Sequence, residues 1–497
     1  MVPKPEYVFD REREWAALTR FATAPGDEMR LAVVSGRRRQ GKTFLLQALA
    51  DALGGFYFVA VESTSVDALR QFGTAVASYL GVEGTLAFAN WDEAITYLLD
   101  RCPDRLIVID EFPYLMKADH AIPSLLQREI DARGANHPAR GRTRLILAGS
   151  AMSVMGKLLA GQAPLRGRAS LELVVHPFDY HMARRFWGIS DLRLAIQLNA
   201  ITGGTPAYRT RFVDGESPAG PDEFDDWVIR RVLSTESPLF REARYLLSNE
   251  MEVRDEALYH AVLGAIAAGN NTRGGIAGHM ERKSTDIAHP LGVLEDCRLI
   301  RKEIDPIRKA SVYRVAEPLV TFYESIMRPS WSQLERGRAA QVWNGARSRF
   351  ASQVIGPHFE HICRQFALGV EWAGELPSEV AAGVAPGSGR GQNIEVDVIA
   401  LGAQDGTHRR RLLSVGEAKW SEVMTLRHLG RLQQARDQLH IRGLDTRDTV
   451  LALYSGAGFD RSLTEAAAGD QGILLADLAT LYGRGRVRGG GPPRTRR

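Results

Sequence analysis

Short apolar runs alternate with stretches of helical spacing over the first 150 residues. Leu31–Ser35, Phe56–Val61, the apolar part of RLIVIDEF at Arg105–Phe112 and RLILAGS at Arg144–Ser150 read as buried strands. Phe44–Leu53 has apolar residues at helical intervals. Continuous apolar strands separated by helices predict a parallel sheet covered on both faces, an α/β fold. The pattern then changes. Ala257–Ala268 and Thr272–Met280 read as helices, the second capped by Thr272, and Leu291, Leu294 and Leu299 suit a third. Leu299–Glu303 and Ser311–Val315 are short strands turned at Asp305-Pro306. Three helices and a hairpin predict a winged helix-turn-helix.

The last third switches again. Phe350–Ala367 is helical, with a kink expected at Gly356-Pro357. Gly383–Gly391 reads as a glycine-rich loop. Ile394–Leu401 and Leu412–Trp420 alternate as two strands of a hairpin. A helix over Leu429–Leu439 and strands at Thr449–Tyr454 and Gly472–Leu475 follow. This predicts a second α/β unit.

A chain of 497 residues exceeds one core. The pattern shifts divide it into 1–215, 216–330 and 345–483, followed by a tail, 484–497. That tail holds six arginines, four glycines, two prolines and no acid, and is expected to be disordered. Hydrophobic content of 44% and charged content of 25% are those of a globular protein, and the net charge of +4 selects no partner. Cys102, Cys297 and Cys363 form no CxxC pair, which fits a reducing cytoplasm. No apolar run long enough for a membrane span occurs, and the opening residues lack a signal-peptide pattern.

Two places carry phosphate chemistry. Gly36–Thr43, GRRRQGKT, fills every fixed position of GxxxxGK[ST] between a predicted strand and helix. Backbone N–H groups beside Gly36 and Gly41 would turn toward phosphate oxygens, Lys42 would reach the β- and γ-phosphates, and Thr43 would hold Mg²⁺. Asp110 is the expected second Mg²⁺ ligand, and Glu111 the group that polarises the attacking water. Ser150 is placed to sense the γ-phosphate. Either Arg166 or Arg168 can serve as an arginine finger, or both can be solvated surface residues. A finger acting in trans would require a homo-oligomer. Arg39 and Phe44 join the loop residues as expected ATP contacts.

The second place is Asp397, a strand-turn-strand interval, then Glu417-x-Lys419. Residues two apart on a strand face the same side. If the strands pair, Asp397 meets Glu417 and Lys419. Two carboxylates suit Mg²⁺, or Mn²⁺, and a lysine can stabilise charge on a scissile phosphate.

FDRERE at Phe9–Glu14, the P-loop, IDEFPYL, LAGSAMSVM, PLRGR and GGTPAY occur in the order seen in the prokaryotic archaeal-type ATPases, relatives of AAA+ and STAND ATPases. That resemblance implies adenine contacts near Phe9 and Arg11, a winged helix and a nuclease-like domain. The last unit resembles the PD-(D/E)xK nucleases, which implies catalytic roles for Glu360, Asp397, Glu417 and Lys419. Here EVD replaces Pro-Asp in the first motif. The expected function is an ATP-regulated, Mg²⁺-dependent DNA nuclease in defence or DNA processing. The alternative is an ATP-switched regulatory or DNA-binding protein with a silent nuclease fold. The winged helix either reads DNA or serves as a rigid lid.

Overall fold

The structure is a computed structural model that describes residues 2–134, 142–250, 256–387, 393–404, 406 and 409–483. The basic tail and part of the glycine-rich loop lie outside the described residues.

The first sheet is built from β1 (Arg30–Ser35), β2 (Phe56–Val59), β3 (Leu106–Asp110), β4 (Arg144–Gly149) and β5 (Ala169–Val174). Its order is β2-β3-β4-β1-β5, with every pair parallel. β4 lies between the strand that enters the P-loop and the strand that ends in Asp110. Every residue of β3 and β4 is buried, as strands covered on both faces must be. β5 was not expected from the pattern. It reads ASLELV, and its burial alternates because it is an edge strand with one face toward water.

Helix α1 (Lys42–Leu53) leaves the P-loop, with Gly41 and Gly54 in left-handed backbone at its two ends. Helices α2 (Leu192–Thr202) and α3 (Pro238–Glu250) follow the sheet. Next come α4 (Glu256–Ala267), α5 (Arg273–His279) and α6 (Ala288–Asp296), then a hairpin of β6 (Ile300–Ile304) and β7 (Ser311–Val315). The Thr272 hydroxyl caps α5 by accepting from the Gly275 N–H. These five elements share a small core built on Leu263, Ile276, Leu291, Leu294 and Leu299.

The second sheet contains β8 (Glu379–Ala385), β9 (Ile394–Leu401), β10 (Leu412–Lys419), β11 (Val450–Ser455) and β12 (Ile473–Ala476), in the order β12-β11-β10-β9-β8. β8, β9 and β10 are antiparallel; β10, β11 and β12 are parallel. Helix α7 (Gly356–Leu368) packs on β8, β9 and β10, and α8 (Leu426–Ile441) packs on β8 to β11. The backbone is wound wider, as a π-helix, over Phe350–Ile355 and tightens at Gly356, where the kink was expected. The loop reading of Gly383–Gly391 is corrected in its first part: Gly383 to Ala385 are strand. Alanine and glycine dominate β8, so its propensity is weak, and it forms because β9 supplies its pairing.

The expected limits at 215 and 330 do not coincide with breaks in packing. One continuous core runs from Tyr180 through Tyr208, Phe224, Phe322 and Trp343 to Ala452 and Tyr482. The Tyr180 hydroxyl donates to the Leu481 carbonyl at 2.8 Å. The helices after the first sheet are thus one body with the second sheet.

Glycine is required where chains meet. A Cβ on Gly204 would lie 1.8 Å from the Phe178 carbonyl oxygen, whereas one on Gly156 would meet nothing within 4 Å. Gly204→Ala should therefore destabilise the fold by at least about 2 kcal/mol. Gly156→Ala, inside a helix, should stabilise it by about 0.5–1 kcal/mol. Calorimetric unfolding of the two variants checks the opposite signs.

Candidate functional site

Parallel pairing puts the carboxyl ends of β1, β3 and β4 at one edge of the first sheet, where a ligand crevice forms. There the P-loop, Asp110, Glu111 and Ser150 come together. Gly36 packs so closely that a Cβ would lie 2.5 Å from the Val175 carbonyl oxygen. Lys42 curls over its own loop, and its ammonium donates to the carbonyls of Gly36 and Arg37. Asp110 is fully buried. One of its oxygens accepts from the Tyr57 hydroxyl and the other from the Glu111 N–H, both at 2.9 Å. Burial, then the charge of Asp110, pushes the Tyr57 hydroxyl far above its ordinary range, so it stays a donor. Glu111 has left-handed backbone, with φ 51°. Its carboxylate accepts from the Ser150 hydroxyl at 2.8 Å and from the Ser150 N–H at 3.3 Å. Ser150, expected as a phosphate sensor, spends its proton on orienting Glu111. The Thr43 and Phe44 side chains are exposed at the start of α1, with Tyr7 edge-on to Phe44 at 5.6 Å.

Phe9 and Arg11 lie beside the loop. Phe9 packs against Phe178 and Phe186, and Arg11 covers Phe178 at 4.5 Å while donating to the Gln40 carbonyl at 3.1 Å. Arg166 and Arg168 are elsewhere. They precede β5, and Ala169 sits beside Leu31, near the opposite edge of the sheet from the P-loop. That is roughly 16 Å of strand away. Arg168 makes a two-point pair with Asp131 at 2.8 Å, and Arg166 donates to the Gly161 carbonyl. Neither reaches the P-loop of its own chain, so the finger reading holds only in trans.

Arg39 was expected as an ATP contact, and Arg37 and Arg38 had no expected role; the structure engages all three. Each bonds a different element. Arg37 makes a fully buried ion pair with Glu317 at 2.8 Å, just past β7. Arg38 donates to the Tyr114 hydroxyl at 2.7 Å. Arg39, left-handed at φ 71°, pairs with Glu242 on α3 and covers Phe212 at 4.2 Å. Burial raises Glu242 to about 7, with Arg39 opposing it. The only signal in sequence was three cations where the motif needs none.

The second constellation lies on β9 and β10. Their register pairs Val398 with Gly416, and one step further brings Asp397 beside Glu417. Asp397 accepts from the Ala418 N–H at 2.9 Å. The Lys419 ammonium is 3.1 Å from Glu417, and Arg431 of α8 is 3.6 Å from the same oxygen. The other Glu417 oxygen is buried without a hydrogen-bond partner among the described residues. Burial, then the charge of Glu360, raises Asp397 to about 7 against the pull of the Ala418 N–H and Lys419. Burial works to lower Lys419, but Asp397 and Glu417 outweigh it and hold the ammonium protonated. Glu360 stands on α7, 3.7 Å from Arg364 and 3.9 Å from Arg314. Among the described residues no three His, Cys, Asp or Glu side chains are grouped closely enough to hold a metal ion, so Glu360 does not close with Asp397 and Glu417 as they stand.

The first sheet, its glycine loop and the carboxylates at its edge define a P-loop ATPase. The comparisons agree. The model of an ATPase domain predominantly from Archaea matches residues 8–192. The Walker-type ATPase of Pyrococcus abyssi has a similar fold, with a TM-score of 0.50 and 19% identity over 65% of this chain and 97% of that one. An uncharacterized protein of Methanocaldococcus jannaschii is 27% identical over 423 residues, 83% of this chain and 88% of that protein. Among the described residues no helix is long and apolar enough to cross a membrane.

The raised Asp397 carboxyl has a thermodynamic signature. Its folded value lies above its unfolded one, so its contribution to stability is complete below about pH 4 and is lost as pH rises toward 7. Without divalent cations, Asp397→Asn should match wild type in stability at low pH and exceed it above pH 7. Denaturant midpoints across that range check it.

Proposed function

We propose that this protein is an ATP-regulated, Mg²⁺-dependent DNA nuclease whose C-terminal unit is of the PD-(D/E)xK type. The observation that carries the reading is the convergence of Asp397, Glu417 and Lys419 on paired strands, flanked by α7 and α8. The donor set fits Mg²⁺. Two carboxylates with water complete its preferred shell, and the second, buried oxygen of Glu417 has no hydrogen-bond partner among the described residues to compete with a cation.

When bound, the cation would supply Lewis-acid activation of water and of the scissile phosphate. The chain's own residues divide the remaining work. Asp397 and Glu417 would hold the cation, with Asp397 fixed by the Ala418 N–H. Lys419, kept protonated, would stabilise the charge growing on the phosphate oxygens. Arg431, half-exposed beside Glu417, offers a second cation to the DNA backbone. At the other site Lys42 and Thr43 would bind ATP phosphates and Mg²⁺, Asp110 would support that ion, and Glu111, aimed by Ser150, would polarise water.

We read α4–α6 with β6 and β7 as a winged helix that acts as a lid. Two observations favour this over DNA reading. Asp305 at the hairpin tip is buried and accepts from the Val384 N–H of β8 at 3.2 Å. The segment after β7 is paired to the P-loop through Glu317.

Plasmid and single-stranded DNA cleavage in Mg²⁺, with and without ATP, tests the proposal. Lys419→Ala should lower cleavage roughly 10²–10³-fold while sparing ATP hydrolysis. Lys42→Ala should abolish hydrolysis and the response of cleavage to ATP. Cleavage undiminished in Lys419→Ala would overturn the assignment. No cleavage by wild type with intact hydrolysis would favour an ATP-switched regulator with a silent fold.

A further inference from the structure

The hairpin β6–β7 is held at three points. Its tip enters the second sheet: Asp305 accepts from Val384 of β8, a Cβ on Gly383 would meet Asp305 at 2.9 Å, and Ile307 packs against the core beneath β9 and β10. Its exit is fixed by Glu317, only two residues past β7, in the buried pair with Arg37 of the P-loop. Its middle carries Arg301 and Arg314, opposite each other in register. Glu303 binds both, accepting from Arg301 at 2.8 Å and Arg314 at 3.0 Å.

Arg314 then extends to Glu360 on α7, whose carboxylate stands between it and Arg364. Arg364 is itself buried and donates to the Asp397 carbonyl at 2.9 Å. Two guanidinium groups therefore claim the one carboxylate of α7 that belongs with Asp397 and Glu417. Glu360 is correspondingly not grouped with Asp397 and Glu417 as a third carboxylate among the described residues.

We propose that Arg314 is a positioning residue for the C-terminal site: it holds Glu360 away from Asp397 and Glu417, and the hairpin that carries it is set by the Arg37–Glu317 pair at the P-loop. This rests on reading Asp397 and Glu417 as a cation site. The chain of contacts is short. Movement of the P-loop shifts Glu317, Glu317 shifts the end of β7, and β7 carries Arg314. Loss of the Arg314 grip leaves Glu360 with Arg364 alone and free to join the other two carboxylates. The hairpin thus serves as a lever inside the molecule, with its wing surface spent on the second sheet.

Mn²⁺ binding to the full-length protein without nucleotide, followed by electron paramagnetic resonance, tests this apart from activity. Arg314→Gln should bind Mn²⁺ at least fivefold more tightly than wild type, and Glu360→Gln added to it should remove the gain. Glu317→Gln should shift affinity in the same direction. Unchanged affinity in Arg314→Gln, with Asp397→Asn abolishing binding, would overturn the proposal. Unchanged affinity in Glu317→Gln alone would sever its P-loop limb. Asp397→Asn without effect on Mn²⁺ would instead refute the cation site itself. Should Arg314→Gln not fold, Arg314→Lys keeps the charge with a single-point grip; it should tighten binding at least twofold, and wild-type affinity there would also overturn the proposal.

Discussion

The buried ion pair between Arg37 and Glu317 fixes how the two halves of this molecule sit. Both side chains are almost wholly removed from water, and 280 residues separate them. Removing one partner of such a pair typically costs about 3–5 kcal/mol, because the other charge is left buried and alone. A P-loop that changes shape with its nucleotide cannot ignore a constraint of that size. Arg39 and Glu242 add a second, half-buried tie to the same loop, and Arg38 with Tyr114 adds a third contact. The loop that would grip phosphate is thereby the joint of the whole chain.

The consequence is an architecture of two packed bodies and a strap. The first sheet forms one body. The helices within 180–243 and 319–372 form the other with the second sheet, through a single continuous core. The five elements from α4 to β7 lie between them, with the hairpin and the residues just past it touching both. In such an arrangement a ligand acts at a distance only through elements that have alternative partners. Arg314 and Glu360 are such partners. Both carry charge, both are part-buried, and their separation of 3.9 Å is that of a loose contact.

What the sequence disclosed and what it hid follow from one distinction. Chemistry carried by contiguous residues was legible. GRRRQGKT, IDEF and the EVD and Glu-x-Lys strands name their elements and their reactive groups, and the structure brings each set together. Pairings across hundreds of residues were hidden. Nothing near Arg37 points to Glu317, and nothing near Glu360 points to Arg314. Edge strands were hidden as well: β5 carries a glutamate and a serine, and β8 is largely alanine and glycine, so only their neighbours make them strands. The three helices and the hairpin were visible, but the burial of the hairpin tip was not, because Asp305-Pro306 reads as an exposed turn until β8 is placed beside it.

The β6–β7 hairpin and the residues just past it join the P-loop to the second sheet. Backbone hydrogen exchange with and without a non-hydrolysable ATP analogue tests it most directly. Altered protection is expected at the P-loop and also in the hairpin, 300–315, and in β8, with the distant changes lost in Glu317→Gln. Protection confined to the P-loop, with the hairpin and β8 exchanging identically in both states, would contradict it.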